Sequence, residues 1–287
     1  MTIFDLSEID GSATESEDAA LTAAPAPGSP TEVPSLNSAG PARWVAAPPV
    51  LVLGACGGSG VSTTALGLAG AAATDYDTDL RPVCVDITAY GGDLAKRGAD
   101  AQAPVGTAQT WLEAERPALP SAVASCTGAS SAGARILARG PEPLPRRETA
   151  LSIHSHLIEA GHLPIYDGGA PVSSRLAAPL LADPRVALVL VTGARPDLIN
   201  RLQPALAALD TAHGEFLLSR AVLVVTEQIP GTGAAAVQHL SAWLGAHLRA
   251  VALIPHDPHL ARGRHVSWRD LDGATRTAYR LLWGDLR

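Results

Sequence analysis

The segment Gly54-Ala55-Cys56-Gly57-Gly58-Ser59-Gly60-Val61-Ser62-Thr63-Thr64 concentrates the residue types that could do chemistry. Its glycines let the backbone turn tightly and aim several N–H groups at one point. A helix predicted from Val61 to Ala73 places its amino end at that same point. Such a turn binds an anion through the main chain alone. Gly57, Gly58, Ser59, Gly60, Val61, Ser62 and Thr63 are therefore the candidate phosphate-binding residues. The hydroxyls of Ser62 and Thr63 fall where a phosphate-bound magnesium ion would be met. The same residues also suit a glycine-rich turn that holds nothing.

Two acids extend the candidate site. Asp86 opens Asp86-Ile87-Thr88-Ala89-Tyr90-Gly91-Gly92-Asp93-Leu94, and Asp167 sits in Ile165-Tyr166-Asp167-Gly168-Gly169-Ala170. Each ends a predicted strand and precedes glycines, as a ligand to a magnesium-bound water and a switch loop would; a helix cap is the alternative. Ser62, Asp86 and Asp167 form the candidate magnesium set, and Asp86 is the one candidate for a catalytic role. His256, His259 and His265 gather near Asp257, but their spacing matches no zinc pattern. His154 and His156 are two apart on a predicted helix and so face different ways. Lys96 and Arg97, just beyond the second-strand loop, read as solvated charge after a helix start; the alternative is that one of them swings in to the glycine segment from the same or a partner subunit.

The elements that must position these residues alternate. Predicted strands are Val50–Leu53, Pro82–Asp86, Ala134–Ala138, Leu163–Asp167, Val186–Thr192, Ala221–Thr226 and Ala250–Ile254. Predicted helices are Val61–Ala73, Thr107–Glu115, Arg147–Ala160, Ser173–Leu181, Pro196–Thr211, Gly233–His247 and Leu271–Trp283, with residues 95–132 otherwise hard to read. Short apolar strands alternating with helices specify an α/β fold, a doubly wound and mostly parallel sheet covered on both faces. Ligands in such sheets sit at the carboxyl ends of the strands, which is where the glycine segment and both acids fall.

Length and composition agree. The chain has 287 residues, 47% of them hydrophobic and 4% aromatic, enough for a sizeable core of small side chains. Residues 1–48 are rich in Ala, Pro, Ser, Thr and acids and read as a disordered acidic arm, leaving residues 49–287 as the folded domain. Within the arm, Ile3, Phe4, Leu6 and Ile9 could share one side of a short helix. Seven of the acids lie in the arm and the net charge of the whole chain is −7. That balance argues against broad phosphate-backbone contact with nucleic acid. An arginine-rich stretch after residue 249 keeps a local DNA or anionic-lipid contact open. No apolar run approaches membrane-span length, no secretory signal is visible, and Cys56, Cys84 and Cys126 form no CxxC pair. A cytoplasmic protein is the expectation.

Taken together, residues 49–287 resemble the ParA/MinD superfamily of deviant P-loop ATPases, which includes TadZ/CpaE and septum-site-determining relatives. Cys56 to Thr63 falls on that group's Lys-Gly-Gly-x-Gly-Lys-Ser/Thr-Ser/Thr loop, and Asp86 to Gly92 on its Asp-x-Asp strand end. Asp167 falls on its switch II acid, and Val251-Ala252-Leu253-Ile254-Pro255-His256-Asp257 on its Gly-x-Ile-Pro-x-Asp ending. The resemblance implies a P-loop fold, ATP and Mg2+ as cofactors, a homodimer, and a protein partner in a membrane-associated machine.

The departures are informative. The chain contains a single lysine, Lys96, against twenty arginines. The two lysine positions of the group's loop are Cys56 and Val61, and the second acid of Asp-x-Asp, which in the group positions the attacking water, is Thr88. A charged hydrogen bond is worth about 1.5–3 kcal/mol, so losing both lysines weakens phosphate binding while the amide cradle remains. Phosphoryl transfer depends almost wholly on positioning and charge, so turnover is expected to be very slow or nil. The expected function is a positioning or assembly factor for a cell-envelope or pilus-type machine. An active partitioning ATPase on DNA, and a secretion or conjugation subunit docking through the acidic arm, are the alternatives.

Overall fold

A computed structural model describes residues 47–76, 80–89, 92–146 and 148–287. The expected acidic arm therefore lies, through residue 46, outside the described residues, as do Tyr90, Gly91 and Arg147.

Eight strands form one sheet: β1 (Val50–Gly54), β2 (Pro82–Asp86), β3 (Gly128–Ala129), β4 (Arg135–Leu137), β5 (Leu163–Asp167), β6 (Ala187–Gly193), β7 (Val222–Thr226) and β8 (Ala250–Ile254). Their order is β3-β4-β2-β5-β1-β6-β7-β8. Every pairing is parallel except β3 with β4. The doubly wound, mostly parallel α/β architecture expected from the alternation is the one observed. Parallel strands covered on both faces can afford no polar interior, and Val50, Leu51, Val52 and Leu53 of β1 are wholly buried.

The helix Val61–Ala73 crosses one face of the sheet, and its composition explains how closely it packs. Gly67 and Gly70 lie one turn apart. A methyl group on Gly67 would stand 2.2 Å from the Tyr279 ring, and one on Gly70 would stand 2.6 Å from Trp268. The helix therefore offers a flat side to the aromatic rings of the carboxyl-terminal segment, whose helix Gly273–Leu286 buries Tyr279, Leu282 and Trp283.

Several boundaries differ from the expectation. The helix expected over Ser173–Leu181 is confined to Ala178–Leu181, because Ser173–Ala177 runs as hydrogen-bonded turns closing on Pro171 and Ser174. The helix expected over Pro196–Thr211 divides into Pro196–Ile199 and Leu202–His213. Between residues 94 and 126 lie three short helices, Leu94–Gly98, Ala108–Leu112 within the expected Thr107–Glu115, and Pro120–Cys126. Thr107 caps the second of these in a capping box with Thr110.

Candidate functional site

The glycine segment, Asp86 and Asp167 gather at the carboxyl edge of the sheet. Gly54 ends β1, Asp86 ends β2 and Asp167 ends β5. Asp86 and Asp167 are register partners on adjacent strands.

The loop after β1 is held from one side by its carbonyls. Thr226 Oγ1 donates to Ser59 O at 2.9 Å, and Gln228 Nε2 donates to Gly58 O at 2.6 Å. Ser59 Oγ donates to Cys56 O across the turn. Gly60 precedes the helix with φ +94°, a conformation that disfavours any side chain, and a methyl group there would stand 3.1 Å from Thr226 Cγ2. With its carbonyls engaged, the loop keeps its donors. Among the described residues, no protein acceptor takes the backbone N–H of Gly57, Gly58, Gly60, Val61, Ser62 or Thr63. The helix itself begins with Thr64 N donating to Gly60 O at 2.8 Å.

Beside the loop lies a cleft of about 400 Å3, bordered by Gly58, Gly60, Thr63 and Arg97 and by the segments that follow β7 and β8. That volume is in the range of small-molecule sites. The acids at its rim are already engaged. Glu227 accepts from Gly233 N and His256 N, each at 3.0 Å. Asp257 accepts from His259 N at 2.8 Å and Asp272 N at 2.9 Å, so it is a helix cap. His259 Nε2 accepts from Ser267 N at 3.2 Å. No group of three or more His, Cys, Asp or Glu residues able to hold a metal ion occurs among the described residues.

Val61 does not face the cleft. It belongs to the hydrophobic core, and its Cγ2 stands 2.6 Å from where a methyl group on Gly54 would be. Arg97 departs from the expectation of a solvated cation. Lys96 is exposed, but Arg97 is half-buried, and its Nη2 donates to Thr63 Oγ1 at 2.6 Å. The Arg97 side chain turns to the loop because the helix Leu94–Gly98 runs beneath it, with Leu94 and Gly98 buried.

The acid pair has a different setting. Asp167 is buried, and burial pushes its carboxyl up to about 6; the Ser62 hydroxyl opposes this and the neighbouring Asp86 adds to it. Asp167 Oδ1 also accepts from Gly169 N at 3.1 Å. Burial raises the Asp86 carboxyl as well, against the Thr88 hydrogen bonds and the nearby Arg139. Thr88 donates twice to Asp86 Oδ1, from its hydroxyl at 2.6 Å and from its amide at 3.0 Å. Arg139 Nε stands 3.9 Å from the same oxygen, with both side chains 2% exposed. Arg139 was not singled out in the sequence. It lies two residues past the end of β4, so the strand-end rule that selected Asp86 and Asp167 applies to it equally.

The residues present fit a nucleotide and magnesium unevenly. Free loop amides beside a roomy cleft suit phosphate oxygens. Ser62 and Asp167, in contact, suit a Mg2+ ion held by one carboxylate and by phosphates. Asp86 suits it less, because Oδ1 is committed to Thr88 and faces a guanidinium.

No protein-family model matches the sequence, and no curated protein matches it. Solved structures do match. A ParA family ATPase from Chlorobium tepidum TLS superposes with a TM-score of 0.62 at 12% identity, covering 83% of this chain and 99% of that one. The MinD cell division protein of Aquifex aeolicus gives 0.59 at 16% identity, covering 82% and 97%. Cobyrinic acid a,c-diamide synthase from Mycobacterium smegmatis, with bound ADP and magnesium, gives 0.50 at 14% identity, covering 82% and 93%. At these identities the likeness concerns the fold, and the fold of this chain is that of the ParA/MinD P-loop ATPases.

Proposed function

We propose that this chain is a nucleotide-binding positioning or assembly factor with little or no ATP turnover. It holds a nucleoside triphosphate by the amides of Gly57 to Thr63, with Mg2+ on Ser62 and Asp167. The observation that carries the reading is the loop itself: its carbonyls are tied to Thr226 and Gln228, while its amides stay unspent beside the cleft. Three features support weak turnover. The loop has no lysine, Val61 is part of the core, and Thr88 is hydrogen-bonded to Asp86 where the resemblance implies a second acid. The chain works as a homodimer that presents its surface to a protein partner in a membrane-associated machine. No helix among the described residues is long and apolar enough to cross a membrane.

Thermal unfolding with ATP and magnesium tests the reading. Ligand at 100 times its dissociation constant adds about 2.7 kcal/mol of stability, a shift of several degrees. A shift with ATP, together with phosphate release no faster than the buffer blank, supports the proposal. No shift at millimolar ATP overturns nucleotide binding, and magnesium-dependent release at the rate of a ParA-type enzyme overturns the weak-turnover part.

A further inference from the structure

A chain that has no lysine in its phosphate loop still needs positive charge where a nucleotide's own charge accumulates. We propose that Arg97 is the phosphate-binding cation of the cleft, supplied from the helix Leu94–Gly98 rather than from the loop. This rests on the nucleotide reading above and adds to it the residue that carries the charge.

Four observations converge on Arg97. It borders the same cleft as Gly58, Gly60 and Thr63. Its Nη2 reaches Thr63 Oγ1 at 2.6 Å, which anchors the guanidinium at the helix amino end, next to the unspent amides. Its Nε is buried and has no hydrogen-bond partner, so a donor remains to be satisfied. A buried donor left unmade is costly, so the guanidinium is not fully satisfied by the protein alone. Finally, no carboxylate neutralises it among the described residues. The two acids that border the cleft, Glu227 and Asp257, are engaged by backbone amides.

The backbone beneath Arg97 is fixed at both ends. Arg97 N donates to Asp93 O at 3.0 Å, and Arg97 O accepts from Val266 N at 2.6 Å. The guanidinium is thus held in place before any ligand arrives, and pre-organised donors lose less entropy on binding. Its planar fork can bond Thr63 through one nitrogen and a phosphate oxygen through another, which a single ammonium cannot do with the same geometry. Lys96, next in sequence, is exposed and makes no such contact.

Isothermal titration of the full chain with ADP and with ATP, each at two or more salt concentrations, tests the assignment. Arg97→Gln should weaken binding by about 10- to 100-fold, the loss expected for one charged hydrogen-bonding group. It should also flatten the salt dependence, because one cation leaves the site. Arg97→Lys, which keeps the charge but not the fork, should retain the salt dependence and bind with an affinity between those of the parent and Arg97→Gln. If Arg97→Gln binds as tightly as the parent, or if Arg97→Lys loses as much as Arg97→Gln, Arg97 serves only to brace Thr63 and the assignment is overturned. The nucleotide reading would survive either result. If the parent chain binds neither nucleotide, both the reading and the assignment fall. Circular dichroism of the ligand-free variants shows that the fold is kept. Should Arg97→Gln not fold, Arg97→Lys with its salt dependence decides the question alone.

Discussion

At the end of β1 the loop from Cys56 to Thr63 has its carbonyls tied down and its amides unspent beside an open cleft. At the ends of β2 and β5, on the same edge, Asp86 and Asp167 are shut away among groups that already answer them: Thr88, Arg139, Ser62 and Gly169. The first region is built to receive negative charge from outside. The second is enclosed, and burial raises both carboxyls against the groups that face them. In a P-loop enzyme the first binds phosphate and the second manages metal, water and charge during transfer. On the proposed reading, the first region receives the phosphates of a nucleotide and the second supports little or no transfer.

The largest effect that could break this contrast comes from Gly60→Val. A branched side chain at φ +94°, pressed against Thr226, should displace the loop and cost ADP affinity about 100-fold by titration, as several amide contacts to phosphate are lost together. Unchanged affinity would mean that the loop is not the binding element. Next is Arg139→Met. Unpairing a buried carboxylate should lower stability to urea by about 3 kcal/mol at pH 7.5 while leaving ADP affinity within about twofold. A large affinity loss there would show that the two regions act as one.

Asp167→Asn follows. Its folded carboxyl titrates near 6, above the ordinary value of 3.8. The folded state therefore holds the proton more tightly than the unfolded chain. The stabilisation this gives is fully present below pH 3.8 and is lost as pH rises through about 6. The asparagine variant removes that loss, so it should be more stable than the parent by up to about 3 kcal/mol at pH 7.5 and indistinguishable from it at pH 3.5. Paired melting curves across pH check this. Magnesium should strengthen ATP binding by the parent above about pH 6 and not below, because the ion needs the ionised carboxylate. The smallest effect belongs to Lys96→Ala, which should change stability by less than about 0.5 kcal/mol and leave affinity unchanged, in contrast to its neighbour Arg97.

The glycine segment, Asp86 and Asp167 could be placed at one edge from the sequence, because strand ends in a parallel sheet converge there whatever the side chains are. Arg139 obeyed the same rule, directly after the expected strand Ala134–Ala138, and was passed over because no glycine-rich turn follows it as one follows Asp86 and Asp167. Arg97 obeyed no such rule. Its neighbour Lys96 points to solvent, and a charge after a helix start is ordinarily exposed. The short helices Leu94–Gly98 and Pro120–Cys126 were equally hard to read, each spanning too little chain for a hydrophobic period.

By itself, then, the sequence determined the alternation of strands and helices, the α/β class, the glycine-rich turn and the loss of lysine, because each depends on residues close together in the chain. The tertiary structure alone decided which polar groups were left over. Thr226 and Gln228 reach the loop from more than 160 residues away, Arg97 reaches Thr63 across 34, and Arg139 meets Asp86 from another strand. Whether a donor is spent or free depends on which partner comes within about 3 Å of it, and that is fixed only when distant segments pack.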